Sequence, residues 1–384
     1  MHDLILRGGR VIDPATHTDH VVDIAISDGI ITAIEPNITG DALSTKNCAG
    51  LIVTPGLIDL HTHVYWGGTS IGIDPDEYAL RAACTTLVDA GTAGPGNFAG
   101  FRKHIIEPAT VRVLPFLNAS FAGIFAFSKT VMVGECVDIR LVNARDALDI
   151  ALEHADIIPG IKVRVGLVAS GISGIEPMNI ALDVCEEANL PLMCHLDFPP
   201  PSRAAVVSRL RPGDILTHCF KPFPNAPVRI RDGKIYEEII AAKERGVIFD
   251  IGHGKGSFAF QTTRAMLDAG FMPDVISSDV HSVSIEGPAF DQLVTMSKFL
   301  ALDMPLMDVI ACSTVNAAKA LRRSDLGRLT VGGIADVSIL DLISGDFTFE
   351  DVVGEQVKAQ TCLRPRGMVM AGSWSATTDA ETCN

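Results

Sequence analysis

Apolar and polar residues change their spacing twice along the chain. In residues 1–55, β-branched runs such as RVID and VVDIAIS are broken by Gly and Pro, which favours short strands and turns. From residue 56 onward, apolar runs of strand length alternate with stretches such as ARDALDIALEHA at 144–155, whose spacing predicts amphipathic helices. Asn143, directly before this stretch, is a candidate N-cap. Such alternation indicates a parallel sheet, and eight strand candidates predict that the sheet closes. We therefore predict an α/β fold, a (β/α)8 TIM barrel over residues 56–329.

The eight predicted barrel strands are short, and several end in a residue with an ionisable side chain. They are Leu57–His61, Thr85–Ala90, Val111–Ser120, Gly160–Val165, Pro191–Leu196, Ile215–Cys219, Val247–Gly252 and Val275–Asp279. Between the third and fourth of them, residues 120–143 show no clear period. This segment is either a lid over the strand ends or a surface hairpin.

Strand-like patterns return at the end of the chain. After Leu329 the runs ADVSILDL, GDFTFE and MVMAG resemble the first 55 residues in texture. Because the two ends of a folded unit tend to lie close together, we predict that residues 1–55 and 330–384 form one small β-sandwich domain beside the barrel. The final residues, TTDAETCN, are expected to be frayed.

Composition and charge narrow the class of partner. The formal net charge is -15 over 384 residues, and this argues against binding to nucleic acid or to an anionic membrane. The first residues lack the pattern of a signal peptide, and no apolar run is long enough to cross a bilayer. Nine cysteines without a CxxC pair argue against a complete disulfide framework. We expect a cytoplasmic protein whose partner is a small molecule.

The segment PGLIDLHTHV at 55–64 carries the sharpest chemical pattern. His61 and His63 close an apolar strand directly after Pro-Gly. Residues two apart in a strand point to the same side, so both imidazoles can bind one metal. Taken alone, an HxH pair is a weak pattern, but its place at the end of the first barrel strand strengthens it.

Four further candidate ligands lie at similar places on other strands. Lys162 lies inside the apolar run GIKVRV, where burial lowers the pKa of an amine and lets it add carbon dioxide. The carbamate would be an anionic ligand able to bridge two metals. His195, His218 and Asp279 end three other predicted strands. Each has an ordinary structural interpretation, but all would lie at the end of the barrel where active sites are built.

These residues give the chain a resemblance to the amidohydrolase superfamily. The resemblance rests on PGLIDLHTH, Lys162, His195, His218 and Asp279, and on RVIDP, DGIITAI and GRLTVGGIADVSILDL near the two ends. It covers nearly the whole chain. The most similar subgroup is that of the dihydroorotase-like amidohydrolase/deacetylase enzymes, which share stretches like HCF and DIGHGKGSF. One departure is Ala317, where many relatives have Pro.

The resemblance implies a pair of divalent metals, with zinc as the default. One metal would take His61, His63, Lys162 and Asp279, and the other Lys162, His195 and His218. The residues alone give the same six ligands but do not divide them between two ions. A hydroxide bridging the metals would attack the substrate, with Asp279 as the general base and then the general acid.

The activity implied is hydrolysis of an acyl amide or ester, as in a deacetylase or esterase, on a small carboxylate-bearing molecule. The alternative is a cyclic amidase such as dihydroorotase, although position 65 holds Tyr where those enzymes usually have Arg. A mononuclear deaminase fits less well, because deaminases of the superfamily usually lack the bridging lysine that Lys162 would supply. A catalytically inactive scaffold fits less well, because all six ligand positions are filled. The resemblance also implies a homo-oligomer, because relatives in the superfamily are often dimers or larger. Tentative substrate contacts are Tyr65, Asn118, His253, Lys255 and His281.

Overall fold

A computed structural model describes residues 1–378 of the chain. Most of the expected frayed end, from residue 379 onward, and the last part of the predicted terminal domain lie outside the described residues. The strands are β1 (His2–Asp13), β2 (Thr18–Ser27), β3 (Ile30–Glu35), β4 (Ala42–Asn47), β5 (Ile52–Pro55), β6 (Leu57–Thr62), β7 (Cys84–Ala90), β8 (Arg112–Asn118), β9 (Ile161–Val165), β10 (Leu192–Leu196), β11 (Ile215–Leu216), β12 (Ile248–Phe249), β13 (Val337–Glu350), β14 (Gln356–Met370) and β15 (Ser373–Ser375).

Helices follow most of the barrel strands. They are α1 (Pro75–Ala82), α2 (Phe98–Phe101), α3 (Ala144–Glu153), α4 (Glu176–Glu187), α5 (Arg203–Val207), α6 (Glu237–Arg245), α7 (Phe260–Asp268), α8 (Gln292–Leu300), α9 (Leu306–Cys312) and α10 (Val315–Ala320). The predicted N-cap of α3 is present, because the Asn143 side chain accepts hydrogen bonds from the backbone N–H groups of Arg145 and Asp146. None of the helices in the described range has the length and apolar character needed to cross a membrane.

Seven parallel strands, β6 to β12, pair in sequence order. Each of β6 to β10 is buried along nearly its whole length, because helices cover the outside of the sheet and side chains fill its inside. The ladder therefore brings the carboxyl ends of consecutive strands to one rim, as the alternating pattern predicts.

The eighth position of the barrel differs from the predicted strand Val275–Asp279. Residues 275–280 form only isolated parallel bridges, Asp250 with Val275 on one side and Thr62 with Val280 on the other. Asp279 lies in the left-handed region at φ 47°, which interrupts an extended ladder. Side chains complete the closure, since the backbone N–H of Ser278 donates to Asp59 Oδ1 at 3.0 Å.

Strands from both ends of the chain form one eight-stranded sheet. Its order is β15-β14-β13-β5-β1-β2-β3, with β4 pairing to β1. Ile12 near the start of the chain and Leu340 and Phe347 near its end share an apolar core with residues of the barrel helices. The joining of the two chain ends agrees with the prediction. The prediction that these strands form a two-layered sandwich, and the prediction that the domain boundaries lie at residues 55 and 330, stay predictions.

The irregular segment 120–143 combines both of its expected interpretations. Bridges between Ser120 and Val142 and between Phe127 and Met132 give it a hairpin-like form. Phe127 and Met132 also line the cavity at the barrel rim. The segment therefore covers one side of the strand ends.

Candidate metal centre

The two histidines of the HxH pair meet Asp279 at the rim of the barrel. His61 and His63 lie on and just after β6, and their side chains are buried. Asp279 Oδ1 lies 3.3 Å from His61 Nε2 and 3.2 Å from His63 Nε2. One potential ligand atom from each of the three residues falls within 4.8 Å of the others. Two imidazole nitrogens and a carboxylate oxygen form a suitable donor set for a divalent cation.

Lys162 reaches the same point from β9. Its side chain is buried, and Nζ lies 3.5 Å from His61 Nε2. Burial lowers the pKa of Lys162 to about 8, although the charge of Asp279 opposes this. Gly91 makes room for the aliphatic part of the lysine, since a Cβ at that position would lie 2.5 Å from Lys162 Cγ. The amine is thus held inside the barrel beside the candidate ligands.

His195 and His218 complete the group on the neighbouring strand ends. Their ring centroids lie 4.5 Å apart, and those of His218 and His61 lie 5.0 Å apart. His218 Nδ1 donates to the carbonyl of Gly252 at 2.6 Å, which leaves Nε2 as the ring nitrogen with a free lone pair. His195 Nε2 is buried and has no hydrogen-bond partner among residues 1–378. A buried imidazole nitrogen without a partner fits a metal ligand, because it would otherwise be costly.

A hydrogen-bond relay fixes the orientation of His61. Thr217 Oγ1 donates to Asp250 Oδ2 at 2.7 Å, so its only proton is used there. His61 Nδ1 lies 2.8 Å from Thr217 Oγ1 and must therefore be the donor in that hydrogen bond. Nε2 of His61 is then unprotonated and faces Asp279 and Lys162. Ser277 Oγ donates to the other oxygen of Asp250 at 2.6 Å and holds that carboxylate in place.

His63 has a similar support on the opposite side. Its Nδ1 lies 2.7 Å from Thr92 Oγ1. Thr92 is held by Asp89, whose Oδ1 accepts from the Thr92 backbone N–H at 2.7 Å. Outer groups of this kind set the tautomer and ring angle of metal-binding histidines. Thr92, Thr217, Asp89 and Asp250 were not among the sequence-based candidates, because Thr and Asp at strand ends have many ordinary roles.

The backbone around Asp279 is shaped to bring its carboxylate inward. Asp279 has a positive φ, and the facing Gly254 has φ 51°. A Cβ at Gly254 would lie 2.1 Å from Asp279 Oδ2, so only glycine permits this approach. Burial raises the pKa of Asp279 to about 6.

A cavity of about 560 Å³ opens above these six side chains, and all of them line it. His281 and Lys255, two of the tentative substrate contacts, also line it, and Lys255 Nζ donates to the carbonyl of Gly287 at 2.9 Å. Three further cations of the lining, Lys129, Arg164 and Lys221, were not predicted. Arg164 could have been found, because it follows Lys162 by two residues on the same strand.

Tyr65, Asn118 and His253 do not line this cavity. The Tyr65 ring stacks on Phe101 with centroids 4.6 Å apart, away from the metal ligands. The Asn118 amide donates to the carbonyl of Gly91 at 2.9 Å. The His253 ring stacks on Phe258, and its Nε2 lies 2.7 Å from Nζ of Lys298. These three side chains contact the surrounding framework and lie outside the lining of this cavity.

Comparison with known proteins identifies the family. A profile of the amidohydrolase family matches residues 255–370. A protein of Brucella anthropi named deacetylase is 35% identical over 356 residues, which cover 92% of this chain and 88% of that protein. A solved structure of a dihydroorotase has a TM-score of 0.90 at 33% identity and covers 99% of this chain and 100% of its own. A solved structure of an adenine deaminase has a TM-score of 0.91 at 29% identity, and the match covers 98% of this chain and 100% of that one. The chain therefore belongs to the amidohydrolase superfamily and is a hydrolase with a TIM-barrel fold.

Proposed function

We propose that this protein is a metal-dependent deacetylase or esterase that hydrolyses an acyl amide or ester of a small, carboxylate-bearing molecule. The observation that carries the proposal is the convergence of six donor side chains at the floor of one cavity, with His195 Nε2 buried and unpartnered among residues 1–378. The similarity to a protein named deacetylase over 92% of the chain supports the acyl-transfer chemistry.

The six donors divide naturally between two divalent ions, with zinc as the default metal. His61, His63 and Asp279 would hold the first ion, and His195 and His218 the second. Lys162 lies beside His61 and would serve both. Its uncharged amine would add carbon dioxide and release a proton, and the resulting carbamate would supply an anionic ligand to the two ions. Burial supports this step, since it keeps a fraction of the amine uncharged near neutral pH.

Asp279 carries the proton transfers. When bound, the divalent ions lower the pKa of water towards neutrality and polarise the carbonyl group of the substrate. Asp279 accepts the proton of the attacking water and delivers it to the leaving nitrogen or oxygen. The left-handed backbone at Asp279 and the bare Gly254 opposite keep the carboxylate close to both histidines of the HxH pair. The relay through Thr217 keeps His61 in the tautomer that leaves Nε2 free.

A screen of acylated acids tests the proposal. The protein would be produced with zinc and bicarbonate and offered a panel of N-acetyl amino acids and O-acetyl α-hydroxy acids, with acetate release as the readout. We expect turnover together with about two metal ions per chain. Lys162→Met should reduce the metal content and abolish most turnover. A protein that purifies with little metal and hydrolyses no member of the panel would be an inactive scaffold, and the proposal would fail.

A cyclic amidase is the second candidate. A solved dihydroorotase has the same fold at 33% identity, and a ring amide is opened by the same chemistry. Against it, Tyr65 stands two residues after the HxH pair and its ring stacks on Phe101, so it supplies no cation to the cavity. Hydrolysis of dihydroorotate at a rate above that of every acetylated acid in the panel would favour this candidate.

A further inference from the structure

Of the cationic side chains that line the cavity without being metal-donor candidates, Arg164 and Lys221 lie nearest in sequence to the donors. Arg164 follows Lys162 by two residues in β9, so its side chain leaves the strand on the same side. Lys221 follows His218 by three residues. Both line the cavity together with the six metal donors. A charged side chain in such a place requires either an internal partner or a ligand.

Arg164 is compensated only in part. Its side chain is 9% exposed, and within residues 1–378 it makes one ion-pair contact, from Nη1 to Glu135 Oε2 at 3.3 Å. The other carboxylate oxygen of Glu135 has no hydrogen-bond partner among residues 1–378. The pair therefore lacks the two parallel hydrogen bonds that a guanidinium usually makes with a carboxylate, and Arg164 keeps donors for a second anion.

Lys221 has no ion pair within the described range. Its amine donates to the backbone carbonyl of Leu196, which is uncharged. The Asp197 carboxylate attracts it but accepts hydrogen bonds from the backbone N–H groups of Val168 and Ala169. Burial and the positive charge of Arg164 contribute to lowering the pKa of Lys221 to about 8. Arg164 and Lys221 line the same cavity and repel each other, so an anion bound near both would be stabilised, although the Asp197 carboxylate also belongs to the lining.

A third donor lies in the same loop as Lys221. Asn225 lines the cavity, and its side-chain Nδ2 is buried without a hydrogen-bond partner in residues 1–378. An amide N–H group left unpaired in a folded protein usually marks the place of a ligand or water. The loop after β11 thus offers a cation and a neutral donor to the same space that Arg164 reaches from β9.

We propose that Arg164, Lys221 and Asn225 bind the carboxylate of the substrate and so place its acyl carbonyl over the metal donors. This inference rests on the proposed function and names the residues that select the substrate. A guanidinium and an ammonium beside a low-dielectric wall bind a carboxylate more strongly than a neutral amide of the same shape. The substrates preferred by this site are therefore acylated acids whose carboxylate stays ionised, and neutral acyl compounds are poor substrates.

The test compares two compounds that differ only in this charge. The first is the N-acetyl amino acid of the panel that is hydrolysed fastest, and the second is the same compound with its carboxylate converted to a primary amide. We expect the wild-type protein to prefer the acid. Arg164→Met and Lys221→Met should each lower kcat/KM for the acid about 10- to 100-fold, mainly through KM, and change that for the amide little. Arg164→Lys should keep part of the preference.

A binding measurement separates the two proposals. Titration of the zinc-loaded protein with the N-acetyl acid and with its amide, followed by calorimetry, requires no turnover. Charge-selective binding that depends on Arg164, without hydrolysis, would support the carboxylate site and overturn the proposed function. Equal losses for acid and amide in the Arg164→Met and Lys221→Met proteins would overturn the carboxylate site and leave the function standing. The carboxylate site would also be overturned if Lys255→Met removed the preference for the acid and neither Arg164→Met nor Lys221→Met did.

Discussion

The hydrogen bonds that link Asp250, Thr217 and His61 should strengthen metal binding, because they fix the orientation of the His61 ring. Thr217→Val replaces the hydroxyl with a methyl group of similar size, so it leaves no cavity. It removes the bond of 2.8 Å to His61 Nδ1 and the bond of 2.7 Å to Asp250 Oδ2. Asp250 Oδ2 itself lies 3.6 Å from His61 Nδ1, too far for a hydrogen bond without movement.

The expected cost follows from the groups left behind. A buried donor without a partner costs about 1–3 kcal/mol, and here an N–H group of His61 and one oxygen of Asp250 both lose a partner. Loss of such an outer group weakens metal binding about 10- to 100-fold. We expect the metal-free protein to lose about 1–3 kcal/mol of its free energy of unfolding as well. The substitution should weaken metal binding and lower stability although it replaces none of the six candidate metal ligands.

Competition with a coloured zinc chelator measures the affinity, and chemical unfolding measures the stability. Thr263→Val is a matched control, because Thr263 is as deeply buried and its hydroxyl donates to the carbonyl of Ala259, directly before α7, at 2.9 Å. The control should lose stability without losing zinc affinity. If Thr217→Val binds zinc as tightly as the control does, the relay does not orient His61 and our reasoning is wrong.

Three further outcomes are expected. Asp279→Asn should lower kcat by about 10²–10⁴ while some metal remains bound, and activity close to wild type would remove its proton-transfer role. Gly254→Ala should lower kcat about 100-fold by displacing Asp279. Gly256→Ala is the control, because a Cβ at that position would meet open space, and it should keep its kcat. Equal kcat values for the two variants would contradict the steric argument. Burial lowers the pKa of Lys298 to about 7 from its ordinary 10.5, so the unfolded chain holds one more proton than the folded protein between these values. Stability should therefore rise with pH across that window, and Lys298→Met should flatten the rise by up to about 1.4 kcal/mol per pH unit in unfolding experiments, while parallel curves would refute this.

Sequence patterns were informative where chemistry restricts the choice of residue. Few side chains can bind a divalent ion, and His61, His63 and Lys162 stand out because they occur inside or at the end of apolar strands. The barrel itself follows from the repeated alternation of short apolar runs with stretches of helical period. Asn143 also marks the start of α3 correctly, because its capping role depends only on local backbone geometry.

Other features depend on directions that a sequence does not encode. His253 follows a barrel strand just as the metal ligands do, but its backbone turns the ring onto Phe258 instead of into the cavity. Tyr65 likewise turns outward to Phe101. Thr217 was overlooked because a threonine before a histidine has many roles, and only its distances to Asp250 and His61 distinguish one of them. The eighth strand was expected to be regular, and the left-handed residue Asp279 interrupts it.

The pairing of β5 with β13 has a consequence for synthesis on the ribosome. Residues 52–55 leave the ribosome just before the first barrel strand, but their neighbours at 337–340 follow the last barrel helix. One edge of β5 therefore stays unpaired while the whole barrel is translated, and an open edge can recruit other nascent chains. The strand is only four residues long and ends in Pro55, and both properties limit such pairing until the C-terminal part of the chain arrives.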